Sequence, residues 1–310
     1  MSTTVLLTTF NGERYLPLLL DSLRGQTEAD FRVLIQDDGS EDGTVGLVRE
    51  VCAADQRFSP GAEQGKKLGA AGNFISLIRQ CGDGYVLLCD QDDIWEEDKI
   101  AKLTEAIRNL ESQWGADTPL MVHSDSTLIA EDGTVLEDSF FRHQGWDPGA
   151  VTLPPLLVQN NVTGCTLIMN AALRKLVAEH ARARELFMHD WFIALTAASF
   201  GKIGFVDRPL TRYRQHGGNV IGASERTLLA RGFAAFGKRR EAKRRILLTY
   251  THTRVFRQGY GDLLPESARK TIDGYLATQR MRKIPRVLAV RRMGCVMQSP
   301  VTRLGQILFG

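Results

Sequence analysis

No apolar run of this 310-residue chain approaches the roughly 20 residues that a helix needs to cross a bilayer. The N-terminus enters a short apolar run without a basic region or a cleavage site of small residues, so we expect no signal peptide. The five cysteines stand singly, which argues against a disulfide framework and against a structural zinc site. This cysteine usage predicts a cytoplasmic protein.

Acidic residues are scarce near the C-terminus. Residues 223–310 contain 19 Lys and Arg but only five Asp and Glu. Residues 1–222 contain 20 Lys and Arg and 31 Asp and Glu. The net charge of +3 therefore hides an acidic first part and a basic tail. We predict two domains with separate tasks, 1–222 and 223–310.

Three familiar nucleotide and cation motifs are missing. Segment 61–66 resembles a phosphate-binding loop, but its glycine spacing is one residue short and no Ser or Thr follows Lys66. No Gly-x-Gly-x-x-Gly follows the first apolar run, so a dinucleotide-binding fold has no support. Segment 38–49 begins like a calcium-binding loop, but Arg49 stands where that loop needs a bidentate Glu.

Short apolar runs alternate with helical patterns in the first part, which predicts a parallel sheet with helices on both faces. The predicted strands are 4–9, 31–36 and 85–89, and the predicted helices are 16–26, 44–53 and 99–110. An Asp-Gly turn predicts a hairpin between 121–129 and Val135. Later candidates are strands at 165–169 and 203–206, a helix at 191–199 and helical structure from Glu225. The segment after Asp55 has no clear strand.

Polar side chains follow three of the predicted strands. Asn11 follows the first, Asp37 and Asp38 the second, and segment 90–93 (Asp-Gln-Asp-Asp) the third. In open α/β sheets ligands bind beyond the carboxyl ends of the strands, so we expect these side chains at one edge. Segment 37–40 alone would equally turn the chain and cap the next helix. The carboxylates of 90–93 exceed what a cap needs, and they suit Mg²⁺ or Mn²⁺ bound together with substrate phosphates.

Four segments occur in the order seen in family 2 inverting glycosyltransferases. They are Thr8-Thr9-Phe10-Asn11-Gly12, Gln36-Asp37-Asp38-Gly39-Ser40, Gly69 through Asn73, and Asp90-Gln91-Asp92-Asp93-Ile94-Trp95. His189-Asp190-Trp191 and segment 209–219, which contains Tyr213-Arg214-Gln215-His216, resemble the rhamnosyltransferase-like branch of that family. The resemblance covers about residues 3–220. It implies a GT-A fold, which is a Rossmann-like mixed sheet flanked by helices. In this chain we expect a basic helical tail after that fold.

The resemblance also implies roles for the matching residues. Asp190 would be the general base, since an inverting transfer needs a carboxylate opposite the leaving diphosphate. Asp92 would ligate the metal that neutralises the diphosphate, and His216 would be a further metal contact. The donor-binding residues would be Thr8, Asn11, Asp38, Gly69, Asn73, Asp90 and Arg214. Two alternatives stay open: Asp190 as a cap of the helix at Trp191, and His216 as an ordinary loop histidine.

Clusters of Lys and Arg alternate with aliphatic residues in the tail. Such a pattern favours an anionic membrane surface over nucleic acid, with a solvated helical face as the alternative. We therefore predict a protein of the cytoplasm that is peripheral at the cytoplasmic face of the membrane and binds no nucleic acid.

These features predict a metal-dependent enzyme of cell-surface polysaccharide biosynthesis. It would move a sugar from a nucleoside-diphosphate sugar, with dTDP-rhamnose as the candidate donor, to a glycan or lipid-linked acceptor. One alternative is a sugar nucleotidyltransferase, which would need a Gly- and Arg-rich loop after the first strand. Segment 8–14 matches such a loop poorly. The other is a non-catalytic binder of nucleotide sugars or nucleic acid, which would need no base at Asp190.

Overall fold

The computed structural model describes residues 2–217 and 235–309. The chain divides into two compact units. The first comprises Met1–Phe140 and Val162–Gln215, and the second comprises Phe141–Asn161 and His216–Gly310. The predicted boundary at residue 222, and the predicted helical structure between 225 and 234, lie outside the described residues. The grouping of 141–161 with the C-terminal region was not predicted.

The first unit is built on one mixed sheet of nine strands. Its strands are β1 (Thr3–Thr9), β2 (Phe31–Asp37), β3 (Phe58–Pro60), β4 (Tyr85–Asp90), β5 (Ile94–Trp95), β6 (Leu120–Ile129), β7 (Val135–Glu137), β8 (Leu167–Met169) and β9 (Lys202–Arg214). The order across the sheet is β3-β2-β1-β4-β8-β6-β9-β5, with β7 paired to β6. Strands β3, β2, β1 and β4 run parallel, and β8 is antiparallel to both of its neighbours.

Twelve α-helices are described across the two ranges. They are α1 (Leu16–Arg24), α2 (Thr44–Ala54), α3 (Gly69–Gln80), α4 (Lys99–Trp114), α5 (Phe140–Gln144), α6 (Leu153–Leu156), α7 (Ala171–His180), α8 (His189–Phe200), α9 (Ala235–Tyr260), α10 (Glu266–Thr278), α11 (Lys283–Arg292) and α12 (Pro300–Phe309). Helices α1 to α4, α7 and α8 belong to the first unit. None of the described helices is long and apolar enough to span a membrane.

Hydrophobic burial explains why the central strands and their helices form. Val5, Leu6 and Leu7 of β1 are fully buried, as expected for an inner parallel strand covered on both faces. In α1 the buried residues recur at helical spacing, at Leu16, Leu19, Leu20 and Leu23. These side chains join one core with β2, β4 and α4.

Most predicted elements are present, and the main differences concern the strands β3, β8 and β9. The predicted hairpin is confirmed, because β6 pairs antiparallel with β7. The segment after Asp55 does contain a strand, the three-residue β3 at the sheet edge, which is too short to give an alternating pattern. Strand β9 is longer than the predicted 203–206, and the predicted strand at 165 begins as the 3-10 helix Gly164–Thr166.

The second unit is helical among its described residues. Tyr250 of α9 stacks on Tyr275 of α10 with ring centroids 4.7 Å apart. The hydroxyl groups of Thr249 and Tyr275 form a 2.6 Å hydrogen bond, and those of Tyr250 and Thr278 form one of 2.9 Å. Because these polar groups are buried and paired, they fix the contact between α9 and α10.

Candidate active site

The site lies where β1, β2 and β4 end. Strand β1 runs between β2 and β4 and is parallel to both. The register places Thr8, which is partly buried, beside Gln36 on one side and Asp90 on the other. All three strands therefore present their C-terminal side chains at one edge, the place where open α/β sheets bind ligands.

The two adjacent aspartates after β2 have different partners. Asp37 is buried and accepts hydrogen bonds from the Thr9 hydroxyl at 2.8 Å and the Ser40 hydroxyl at 2.6 Å. It also accepts hydrogen bonds from the N–H groups of Gly39 and Ser40 at 2.9 and 2.8 Å. For Asp37 the structure therefore bears out the turn that segment 37–40 allowed.

Asp38 reaches the start of α3 instead. Its carboxylate accepts hydrogen bonds from the N–H groups of Leu68 and Gly69, the latter at 2.9 Å. Because Leu68 is the N-cap residue and Gly69 is the first residue of α3, Asp38 caps the N-terminus of this helix. Gly69 has a φ of +71° and no atom within 4 Å of the position that a Cβ would take, so the backbone is open there. The carboxylate oxygens of Asp38 have further lone pairs that could accept hydrogen bonds from a ligand. The donor-binding roles of Asp38 and Gly69 stay predictions.

The two predicted asparagines are placed differently. Asn11 is exposed after β1, with a φ of +46°, and its Oδ1 accepts a 2.9 Å hydrogen bond from the N–H of Glu41. Asn73 is only 1 % exposed, and its Oδ1 accepts a 2.7 Å hydrogen bond from Gln36. Asn11 is therefore accessible to a ligand, whereas Asn73 is enclosed and supports Gln36. A donor contact of either residue stays a prediction.

Asp90, Asp93 and Cys165 form a compact group at the end of β4. Their potential ligand atoms lie within 4.8 Å of one another. Burial raises the pKa of Asp93 to about 7, and the neighbouring charge of Asp92 acts in the same direction. Burial also raises the pKa of Asp90 well above its ordinary value, as do the charges of Asp93, Asp92 and Asp190. Several carboxylates that disfavour one another's ionisation are thus close together.

The acidic group that could hold a cation does not contain Asp92, the metal ligand that the sequence predicted. Asp90, predicted at the ribose, lies in the group, whereas Asp92, the predicted ligand, is beside it. Oδ2 of Asp93 is buried and receives no N–H or O–H hydrogen bond in the described part of the chain. An orphaned carboxylate oxygen among mutually repelling acids fits Mg²⁺ or Mn²⁺. Asp90 and Asp93 would hold it, with Asp92 adjacent.

A buried lysine lies next to these acids. Lys99, fully buried at the start of α4, donates hydrogen bonds from Nζ to the Cys165 carbonyl at 2.6 Å and to the Thr211 hydroxyl at 2.7 Å. Burial lowers the pKa of Lys99 to about 8, while the charges of Asp93 and Asp90 oppose that shift. Lys99 was not among the predicted site residues, although it shares the buried face of α4 with Leu103 at helical spacing.

The side chain of Arg214 is enclosed by protein and is not accessible as a donor-binding residue would be. It is 1 % exposed, and its guanidinium donates to the carbonyl of Asp92 at 2.9 Å and to that of Glu131 at 2.9 Å. The backbone N–H of Arg214 donates a hydrogen bond to Oδ1 of Asp93 at 3.2 Å. Arg214 therefore holds the carboxylate segment in place, and the predicted contact with the donor stays a prediction.

Asp190 lies in the first turn of α8, which begins one residue before it rather than at Trp191. It is 7 % exposed, and its Oδ1 accepts a 2.6 Å hydrogen bond from the N–H of Trp191. Burial raises the pKa of Asp190 to about 7, although the N–H groups of Trp191 and Gly164 act in the opposite direction. A carboxylate with a pKa of about 7, whose charge acts on Asp90, is suited to general base catalysis.

The histidines predicted near the site have separate positions. His189 is buried and stacks on Phe74 with ring centroids 4.1 Å apart. Burial lowers the pKa of His189 to about 3, so its imidazole is neutral. His216 is the first residue of the second unit. Its contact with a metal stays a prediction.

The mixed sheet, its acidic edge and the helices around it define a GT-A nucleotide-sugar transferase fold, as first predicted. The family model for glycosyl transferase family 2 matches residues 4–176. Because this match covers more than half of the chain, the protein belongs to glycosyl transferase family 2 and is an enzyme.

Similar proteins were found by sequence and by structure. The dTDP-rhamnosyl transferase RfbG of Shigella flexneri is 26 % identical over 229 residues, which cover 70 % of this chain and 73 % of that protein. Residues 1–349 of S. aureus TarS, solved with UDP-GlcNAc, match with a TM-score of 0.59 at 16 % identity, over 99 % of this chain and 88 % of that one. At that identity the likeness shows the shared fold alone.

A further solved structure is that of the mannosyltransferase PcManGT from Pyrobaculum calidifontis in complex with GDP-Man and Mn²⁺. It matches with a TM-score of 0.50 at 15 % identity, over 94 % of this chain and 72 % of that one. A GT-A protein of related fold thus holds a manganese ion and a nucleotide sugar.

Proposed function

We propose that this enzyme transfers a sugar, with inversion at the anomeric carbon, from a nucleoside-diphosphate sugar to a hydroxyl group of a cell-surface glycan. The observation that carries the proposal is the position of Asp190 relative to the acidic group. A Cβ added to Gly164, which adjoins Cys165 of that group, would lie 3.5 Å from the Cβ of Asp190, and the charge of Asp190 raises the pKa of Asp90. One of these carboxylates titrates near pH 7, and the other belongs to a group that fits a cation. The two roles that an inverting transfer separates therefore fall on two carboxylates that interact electrostatically.

The donor's nucleotide would bind along the strand ends. Thr8 lies near the end of β1, whereas Asn11 and Asp38 follow β1 and β2. These three residues would contact the base and ribose. The diphosphate would lie at Asp90, Asp92 and Asp93. A divalent cation bound there would neutralise the negative charge that develops on the departing diphosphate.

Asp190 would act on the acceptor. Its ionised carboxylate takes the proton from the acceptor hydroxyl as that oxygen attacks the anomeric carbon. The new glycosidic bond forms while the bond to the diphosphate breaks, so the nucleoside diphosphate leaves with the electron pair. The N–H of Trp191 orients the Asp190 carboxylate by donating a hydrogen bond to its Oδ1.

The proposal also specifies which sugar is transferred and which class of acceptor receives it. A relative named as a dTDP-rhamnosyl transferase, at 26 % identity, supports dTDP-rhamnose as the first donor to test. The segments around Asp190 and Tyr213 also resemble that branch of the family. A glycan carried on a lipid is the acceptor class that we propose, with the reaction on the cytoplasmic side of the membrane.

A donor screen tests the function. Purified protein is heated with Mn²⁺ and each of a panel of nucleotide sugars, and a bound donor raises the melting temperature by mass action. We expect dTDP-rhamnose to give the largest shift, and subsequent turnover to release dTDP. Release of pyrophosphate in the presence of a nucleoside triphosphate and a sugar phosphate would instead identify a nucleotidyltransferase. No shift with any nucleotide sugar would contradict the proposal.

A further inference from the structure

The end of the chain carries positive charge without any acidic residue to balance it. The 37 residues that follow Asp273 contain seven Lys and Arg and no Asp or Glu. Six of these cations fall between residues 280 and 292, in and just before α11. An unbalanced segment of this kind attracts an anionic surface over a distance of about a Debye length.

Helix α11 also exposes aliphatic side chains on its outer face. Ile284 is 75 % exposed and Leu288, one turn further along, is 50 % exposed. Met281, which lies two residues before the helix begins, is 40 % exposed. Val290, on the opposite side of the helix, is only 7 % exposed and packs inward. The helix therefore has an apolar inner face and a second apolar stripe that faces outward.

Cations flank this outer stripe. At 100° per residue, Arg291 falls beside Ile284 and Arg292 falls beside Leu288, on either side of the stripe. Both arginines are exposed, as is Lys283. Among residues 2–217 and 235–309, none of these three cations forms an ion pair in the structure.

We propose that the outer face of α11, formed by Ile284 and Leu288 between Arg291 and Arg292, binds the surface of an anionic lipid bilayer together with Met281 just before the helix. Aliphatic side chains would enter the boundary between headgroups and acyl chains, and the flanking guanidinium groups would meet lipid phosphates. The proposal concerns attachment of the second unit, and it stands whether or not the proposed sugar transfer is correct.

Other occupants fit this face less well. Nucleic-acid surfaces that bind single strands use aromatic side chains for stacking, and segment 276–308 contains no Phe, Tyr or Trp. A second copy of the same face would bring arginines against arginines, with no acidic residue after Asp273 to pair with them. Anionic lipid satisfies both the aliphatic and the cationic parts.

Vesicle co-sedimentation of the full-length protein tests this proposal. The vesicles are phosphatidylcholine alone or phosphatidylcholine mixed with phosphatidylglycerol. The variants are Ile284→Ser with Leu288→Ser, and Arg291→Gln with Arg292→Gln. The control is Leu263→Ser, since Leu263 is 61 % exposed in the same unit but adjoins Asp262. All the substituted side chains are on the surface, so each variant is expected to melt like the wild type.

We expect wild-type protein and Leu263→Ser to bind the mixed vesicles and not phosphatidylcholine alone. Each double variant should bind about tenfold more weakly, and added salt should release the wild type. Release of nucleoside diphosphate from the sugar nucleotide, measured without vesicles, should be unchanged in both double variants. Wild-type affinity in both double variants, or equal weakening by Leu263→Ser, would overturn the proposal. Tighter binding to duplex DNA than to mixed vesicles at the same ionic strength would overturn it in favour of nucleic acid.

Discussion

The side-chain amide of Gln91 forms two hydrogen bonds with the backbone of Phe10, donating to its carbonyl at 2.8 Å and accepting from its N–H at 2.8 Å. This pair joins the segment after β4 to the segment after β1. The Gln91 side chain also fills the space beside Gly12, where an added Cβ would lie 2.1 Å from Oε1. Gln91 therefore sets the separation between Asn11 on one segment and the carboxylates on the other.

Loss of this link should weaken donor binding without preventing folding. We expect Gln91→Ala to lower the affinity for the nucleotide sugar by about tenfold, because two hydrogen bonds that hold the pocket in register are removed. Titration calorimetry with donor and Mn²⁺ measures the effect. Gln113→Ala, on the exposed end of α4, serves as the control and should bind like the wild type. Unchanged affinity in Gln91→Ala would mean that the link is irrelevant to the donor.

The acidic group should make turnover dependent on a divalent cation. We expect EDTA to abolish activity and added Mn²⁺ or Mg²⁺ to restore it. Asp90→Asn should weaken Mn²⁺ binding about tenfold or more, since a carboxylate ligand becomes a neutral amide. Electron paramagnetic resonance of Mn²⁺ measures this affinity directly. Full activity in excess EDTA would contradict the metal assignment.

The same titration separates two candidate second ligands. The structure groups Asp93 with Asp90, whereas the family resemblance points to Asp92. If Asp93 ligates, Asp93→Asn should lower Mn²⁺ affinity more than Asp92→Asn does. The reverse order would restore the assignment to Asp92.

Turnover should rise with pH through the neutral range. The base must be ionised, and burial raises the pKa of Asp190 to about 7. At saturating donor and metal, we expect the rate to increase about tenfold per unit below pH 7 and to level off above it. Asp93 also titrates at about 7, so Asp93→Asn is the control, and it should keep the inflection. A rate that is flat between pH 5 and 8 would exclude Asp190 as the base.

The elevated pKa of Asp190 also predicts a cost in stability. Because the folded-state pKa lies above the ordinary 3.8, the fold favours the protonated carboxyl. The corresponding stability is fully present below pH 4 and is lost as pH rises towards 7. Asp190→Asn should therefore unfold at a higher temperature than wild type at pH 8, by about 1–3 kcal/mol in free energy, and the difference should shrink at pH 5. Thermal melts without donor measure this, and equal curves at both pH values would contradict it.

The sequence predicted the parallel half of the sheet well, because β1, β2 and β4 are buried apolar runs bounded by polar turns. Their carboxyl ends had to meet at one edge, so the positions of Thr8, Asp38 and Asp90 followed from topology alone. Cys165 was not predicted as a neighbour of Asp93. It arrives there because β8, 77 residues after β4 along the chain, pairs antiparallel with it, and no local pattern encodes that pairing.

Arg214 illustrates a second limit of sequence reasoning. An arginine near an acidic cluster suggests a phosphate contact, but β9 continues to residue 214 and carries the side chain into the carbonyl groups of Asp92 and Glu131. Such contacts depend on the register between β6 and β9. The grouping of 141–161 with the second unit is equally non-local.

The central claim is that Asp190 removes the acceptor's proton, and one variant tests it most directly. Asp190→Asn keeps the size of the side chain and the oxygen that accepts from Trp191 N–H, but it cannot take up a proton. Turnover and donor affinity are measured together, with Asp207→Asn on the exposed part of β9 as control. We predict donor affinity close to wild type and turnover lower by about 100-fold or more. Turnover within a few-fold of wild type would contradict the claim and leave Asp190 as only a residue of the first turn of α8.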